Sequence, residues 1–252
     1  MISGRKIIFL VVAIYIFSLI ITAPALAVYR LFKPDNETVV LKGLKGTIWH
    51  GKVDEIVISH RSIRNIMWEC GLYGLYKGMI SCDWIVNDEI LSGKGKIGIE
   101  ITGGRLINDV SLDISVQTII SYLKMPDIGA SGSAMLRVKN LYIKDNLVKK
   151  LDGHFLWTGA EIQSHLGDMR LGGLEVKMIA GDSGDVSMTI TDTENQLDLH
   201  AYLDIKRNGA YKIHGDVKPV LELFDGARSF FSAFSVVQDN GRLSFQHVGS
   251  VF

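Results

Sequence analysis

The chain has little cysteine, no excess of either charge and none of the compact motifs that carry catalysis. Lys plus Arg number 27 and Asp plus Glu number 27, so there is no basic field to hold a phosphate backbone by counterion release, and nucleic acid is excluded as a partner. Cys70 and Cys82 are the only cysteines. They form no C-x-x-C and match no zinc spacing. His50, His60, His154, His165, His200, His214 and His247 are scattered, with no H-E-x-x-H and no repeated ligand interval. There is no G-x-S-x-G and no P-loop, and Gly93-Lys-Gly95-Lys-Ile-Gly98 lacks the helix that would present amides to phosphate. With no nucleophile set beside a base, and no metal or cofactor pattern, the sequence points away from an enzyme.

What is present starts with an uncharged run, Ile7 to Val28. A helix of that length, at about 1.5 Å per residue, crosses a hydrocarbon core about 30 Å thick. The expectation is a transmembrane signal anchor over 7–28, preceded by a cytoplasmic segment, 1–6. Arg5 and Lys6 lie before the run and Arg30 and Lys33 after it, so charge favours a cytoplasmic N-terminus by a small margin. The competing reading is a cleaved signal peptide, for which Ala25-Leu26-Ala27 supplies a small-x-small site. Pro24 suits either a cleavage region or a helix kink. On both readings the remainder is exported.

Downstream, strict alternation of apolar and polar residues dominates. Val110-Ser-Leu112-Asp-Ile114-Ser-Val116, Val186-Ser-Met188-Thr-Ile190-Thr and Leu197-Asp-Leu199-His-Ala201-Tyr-Leu203-Asp-Ile205 all follow it. So do Ile97-Gly-Ile99-Glu-Ile101 and Leu136-Arg-Val138-Lys. This is the pattern of antiparallel strands with one dry face and one wet face. Around Arg207-Asn208-Gly209-Ala210, matching the apolar faces predicts a three-residue loop, Asn208 to Ala210, with Gly209 left-handed. That register sets Ile205 opposite Ile213 and Asp204 beside His214. Two stretches read as amphipathic helices: Val220, Phe224, Ala227, Phe231 and Phe234 recur at intervals of four and three, and Val116 to Leu123 repeats the device in shorter form.

The cysteines sit in a near-palindrome, Trp68-Glu-Cys70 and Cys82-Asp-Trp84. If Tyr73 to Met79 turns the chain, they face each other across a hairpin. A disulfide in an oxidising compartment would then close a short loop and contribute about 3 kcal/mol. Two buried thiols are the equal alternative.

Three segments match each other in order. Leu44-Lys-Gly46-Thr-Ile-Trp49-His-Gly51 resembles Leu151-Asp-Gly153-His-Phe-Leu-Trp157-Thr-Gly159; Val116–Leu123 resembles Val217–Phe224; Gly132-Ser-Ala-Met-Leu136 resembles Gly241-Arg-Leu-Ser-Phe245. An internal duplication with a period of roughly 100 to 110 residues explains this, as does chance likeness among β patterns. The fold expected is mainly β, with antiparallel sheets in two similar tandem halves, 29–145 and 146–252, and short amphipathic helices after one transmembrane helix. Trp49 and Trp157, flanked by Gly46, Gly51, Gly153 and Gly159, suit large rings packed on strands where glycines permit bulges. A docking role at a sheet edge is the other reading.

Gly46-Thr-Ile-Trp49-His-Gly51-Lys-Val53, directly after a single apolar helix, is similar to the G-T-[LIV]-W-x-G-x-[AV] opening of the type II secretion system protein N family. The likeness continues through Trp68, Gly129 to Leu136, Leu151 to Ala160, Asn208-Gly-Ala-Tyr211 and Asp239-Asn-Gly241-Arg242-Leu243. It implies a single-pass inner-membrane protein of a Gram-negative bacterium, with its bulk in the periplasm. Such a protein is accessory to the machine that exports folded proteins across the outer membrane. The partners implied are other secretion components, either the secretin or the inner-membrane platform proteins. No catalytic residues come with the resemblance. An alternative of another class is a lipid-binding groove of the AsmA type, formed by curved sheets with one apolar face.

Overall fold

A computed structural model describes residues 4–32, 39–58, 61–123, 128–164, 167–181, 183–194, 197–218, 235–238 and 241–250. The chain divides into two compact units, Met1–Asp88 and Glu89–Phe252. The uninterrupted helix expected over 7–28 is instead two helices, α1 (Gly4–Thr22) and α2 (Ala25–Phe32). Pro24 is the cause. It has no N–H to continue the α1 ladder, and it drives Ala23 out of the helical region. Its own carbonyl then accepts from Ala27 N and Val28 N, each at 3.1 Å, and opens α2. Among the described residues no helix is long and apolar enough to cross a membrane.

The first unit also holds β1 (Val39–Lys42), β2 (Lys45–Gly46), β3 (His50–Ile58), β4 (Arg61–Gly71) and β5 (Met79–Asn87). They pair antiparallel in the order β1-β3-β4-β5, with β2 also on β3. Alternation decides the faces. Val53, Ile66 and Val86 form one cross-strand row and Gly51, Trp68 and Trp84 the next. Val53 and Val86 are buried, while Met67 and Ile85, one position along, point to solvent.

In the second unit, β6 (Leu91–Glu100), β7 (Arg105–Ser115), β8 (Ile128–Lys144), β9 (Leu147–Ser164) and β10 (Gly167–Ala180) form an antiparallel meander. It continues through β11 (Val186–Asp192), β12 (Leu199–Ile205) and β13 (Ala210–Val217). The path then ends on β15 (Leu243–Ser250) and β14 (Ser235–Val237), in that spatial order. Asp145 and Asn146, both at positive φ, make the two-residue turn between β8 and β9. Helix α3 (Val116–Leu123) has the bounds that periodicity predicts. It lies on β8, where Val116 packs with Ala130, Ala134, Ile119, Ile120 and Phe155. A second cluster joins Ala160, Leu171, Leu197, Val217 and Leu243. The helix expected around Val220 to Phe234 lies outside the described residues.

The β12–β13 hairpin corrects the expected register. Its three-residue loop is Arg207 to Gly209, one position early, so Ile205 faces Tyr211 and Asp204 faces Lys212. Gly209 is left-handed, at φ 83°. Alternation is indifferent to a slip of two residues, because the same side chains keep the same face. A distant residue makes the choice: the Asp185 carboxylate accepts from Lys206 Nζ at 3.0 Å and from Arg207 N at 3.1 Å. His214 consequently lies opposite Tyr202 with the rings stacked 5.4 Å apart, and Asp204 accepts from Ser187 Oγ.

Candidate functional site

The tetrapeptide Thr47-Ile48-Trp49-His50 makes a tight turn. The Thr47 hydroxyl oxygen accepts from Trp49 N (3.3 Å) and His50 N (3.1 Å), and Thr47 N donates to His50 O at 2.8 Å. Hydroxyl-to-backbone bonding of this kind favours turns over strands. The turn aims its groups at the end of α1. Trp49 Nε1 donates to Ile20 O at 2.8 Å, Ile48 N donates to Ala23 O at 3.1 Å, and Thr47 forms a β-bridge with Pro24. A helix ends with unpaired carbonyls that some group must satisfy. Here a side chain and a backbone amide from the start of the sheet do so.

The glycines around this turn are sterically required. Gly46 is at φ 95°, and a Cβ there would stand 2.4 Å from His50 O. A Cβ on Gly51 would meet the Trp68 ring and Lys45 O at 2.5 Å, so the Trp68 indole lies across the space that the glycine leaves. Trp68 Nε1 in turn donates to Ile48 O at 3.2 Å, and Cys70 N donates to Trp49 O at 2.5 Å. Cys70 and Cys82, directly opposite in register, are joined by a disulfide, and Trp68 lies opposite Trp84 two pairs further along, on the same face. A cavity of about 470 Å³ opens beside the turn, lined by Lys45, His50, Lys52, Met67, Glu69 and Asp83 among others.

The other tryptophan motif belongs to the second unit and works differently. Trp157 Nε1 donates to Ser131 O of β8 at 2.9 Å, and its ring packs against both apolar clusters of the unit. Gly159, at φ 59°, and Gly132, at φ 108°, mark the bulges on either side of this contact. A Cβ on Gly132 would stand 2.5 Å from the carbonyls of Thr158 and Gly159. Gly153 sits between Val138 and Met178, with the Met178 terminal carbon 3.2 Å from where a Cβ would be. Gly46, Trp49 and Gly51 thus gather at a helix end, and Gly153, Trp157 and Gly159 gather along β9.

Two charged clusters carry no signature in the sequence. Arg242, at the start of β15, donates to Asp198 Oδ2 at 2.6 Å, to Asp198 O at 3.0 Å and to Asp216 Oδ2 at 2.5 Å. This fork holds the Asp198 carboxyl below its ordinary range. His154 Nε2 lies 2.6 Å from Glu175 Oε1, and that contact, with Lys177 adding its charge, lowers the Glu175 carboxyl. The first ties the ends of neighbouring strands and the second joins β9 to β10, both within one sheet. Among the described residues no three His, Cys, Asp or Glu side chains are grouped to hold a metal ion.

The site is therefore a junction between an apolar helix and a β-sheet, with structural polar contacts and no assembled catalytic group among the described residues. Comparison with known proteins agrees with the family resemblance. The family model described as type II secretion system (T2SS), protein N, matches residues 37–246, and the chain belongs to that family. The type II secretion system protein N of Aeromonas hydrophila is 23% identical over 241 residues, covering 94% of this chain and 94% of its own. That of Vibrio cholerae serotype O1 is 22% identical over 222 residues, covering 86% and 87%. No solved structure matches the chain.

Proposed function

We propose that this protein is an accessory component of type II secretion, held in the inner membrane by α1, with both β units in the periplasm. It acts by binding other envelope proteins and not by catalysis. The observation that carries this reading is the junction. A helix that is uncharged from Ile7 to its end at Thr22, with apolar residues all round that stretch, is bonded through Trp49 and Ile48 to the first strands of the sheet. A helix with no polar face needs an apolar surround. Its partners are secretion components, the secretin or the inner-membrane platform proteins. Crosslinking of the intact protein in membranes that carry an assembled machine is expected to recover those subunits. Recovery of none under assembling conditions would contradict the proposal.

A second reading is favoured by a specific feature of the second unit. Leu136, Phe155, Val176 and Ile190 stand in one cross-strand row, and Met178, Met188, Leu203 and Ile213 in the next. All eight are only half-buried. A row of that kind suits acyl chains. Mass spectrometry of the protein extracted in mild detergent, and washed free of bulk lipid, tests it. Stoichiometric phospholipid retained by wild type and lost in Phe155→Glu would support the groove, and lipid-free wild type would remove it.

A further inference from the structure

Helix α2 presents two unlike faces. Ala25 is 7% exposed and Val28 and Tyr29 are half-buried, the Tyr29 hydroxyl donating to Val39 O at 3.3 Å. Leu26, Ala27, Arg30 and Leu31 all point outward, Leu26 at 40% and Leu31 at 78% exposure. At helical spacing these four make a single stripe, apolar except for one cation. Only Ala23 and Pro24 separate α2 from the end of α1, in the same compact unit.

The length of α1 bears on what covers it. The uncharged stretch from Ile7 to Thr22 spans about 24 Å, roughly 6 Å less than a typical hydrocarbon core. A helix lying flat in the headgroup and upper acyl region sits about 5–10 Å below the surface, which is the missing distance. Trp49 is bonded to Ile20 O at the end of α1, and with α1 in the bilayer its indole would lie at the interface, where such a ring has both apolar contact and a polar layer. Arg30 has a stem to lay along the acyl chains and a head to reach lipid phosphates.

We infer that α2 is an interfacial helix, with Leu26 and Leu31 sunk in the periplasmic leaflet of the membrane that α1 enters and Arg30 at its phosphates. This rests on the anchor reading above. It adds that the first sheet sits directly on the bilayer, held there by the bonds of Trp49 and Ile48 to the end of α1.

The test uses the full chain in vesicles of phosphatidylethanolamine and phosphatidylglycerol, with the native disulfide intact. Single maleimide nitroxides are placed through Ile14→Cys, Leu26→Cys, Leu31→Cys and Val40→Cys. Collision rates with oxygen, which concentrates in lipid, are compared with those of a water-soluble nickel chelate. The inference predicts that labels at positions 14, 26 and 31 collide preferentially with oxygen, and that the label on β1 at position 40 collides preferentially with nickel. Nickel preference at 26 and 31 with oxygen preference at 14 overturns the interfacial helix and leaves the anchor standing. Shielding of 26 and 31 from both reagents also overturns it, since a protein surface then covers α2. Nickel preference at position 14 removes the anchor itself.

Discussion

The indole N–H of Trp49 and the backbone carbonyl of Ile20 are hydrogen-bonded over 2.8 Å, although 29 residues separate them in the chain. The bond ties the last turn of the apolar helix to the first turn of the sheet. Ile48 N on Ala23 O and the Thr47–Pro24 bridge repeat the tie on either side. A tryptophan that cements a helix end differs from one that fills a core, and the two motif tryptophans of this chain divide along that line.

Replacing Trp49 by Phe keeps a ring and removes the donor. Amide exchange at Ile48 is expected to speed up in Trp49→Phe, corresponding to about 1 kcal/mol of local opening, the usual worth of one such bond. Trp157→Phe breaks a bond to Ser131 O in the other unit and should leave the Ile48 amide as it was. Equal exchange at Ile48 in wild type and Trp49→Phe would show that the indole does not hold the helix end.

Gly51→Ala forces a methyl into the Trp68 ring and Lys45 O. Overpacking of this kind costs about 1–3 kcal/mol, read as a lower denaturation midpoint at unchanged slope. Gly181 has nothing within 4 Å of a Cβ and no positive φ. Gly181→Ala should be neutral or add about 0.4–1 kcal/mol by restricting the unfolded chain.

The Cys70–Cys82 bridge closes a loop 12 residues in separation, and its removal in the double Ser variant is expected to cost about 3 kcal/mol on the chain-entropy scale. Protein taken from the envelope without reductant should add no maleimide. Maleimide labelling of both cysteines before reduction would show two thiols instead.

Acid should weaken the closing hairpin of the second unit. Asp198 is held below its ordinary value of 3.8 by Arg242. It therefore contributes stability that is complete above the unfolded value and lost as pH falls through the folded one. Asp198→Asn, which tolerates the positive φ of 41° at that position, is expected to flatten the dependence below about pH 4. A denaturation midpoint whose slope with pH is identical in wild type and Asp198→Asn would remove the fork from the explanation.

Much of this fold is written in alternation. The runs at Val110, Val186 and Leu199 predict β7, β11 and β12, and a period of 3.6 marks α3 to the residue. Alternation carries parity and no more, which is why the Ile205 register slid by two residues without disturbing a face. The residue that settled it, Asp185, lies more than one strand away in the chain. The junction was half legible. Gly46, Trp49 and Gly51 stand out by type, whereas their acceptors, the backbone carbonyls of Ile20 and Ala23, carry no side-chain signal at all. Pro24 was the visible clue, and it admitted a cleavage site and a kink alike. The Arg242 fork left no trace, since Asp198, Asp216 and Arg242 meet only through pairing of β12 with β13 and of β13 with β15.

Intact mass of the protein in carbonate-washed inner membranes bears on all of this at once. If α1 stays attached as an anchor clamped by Trp49, the polypeptide remains in the washed membrane at the 27.9 kDa of the whole chain, with two cysteine hydrogens missing. A shorter species that begins after Ala27, released with the soluble periplasm, would mean that the helix is a discarded leader and that the junction does not exist in the working protein.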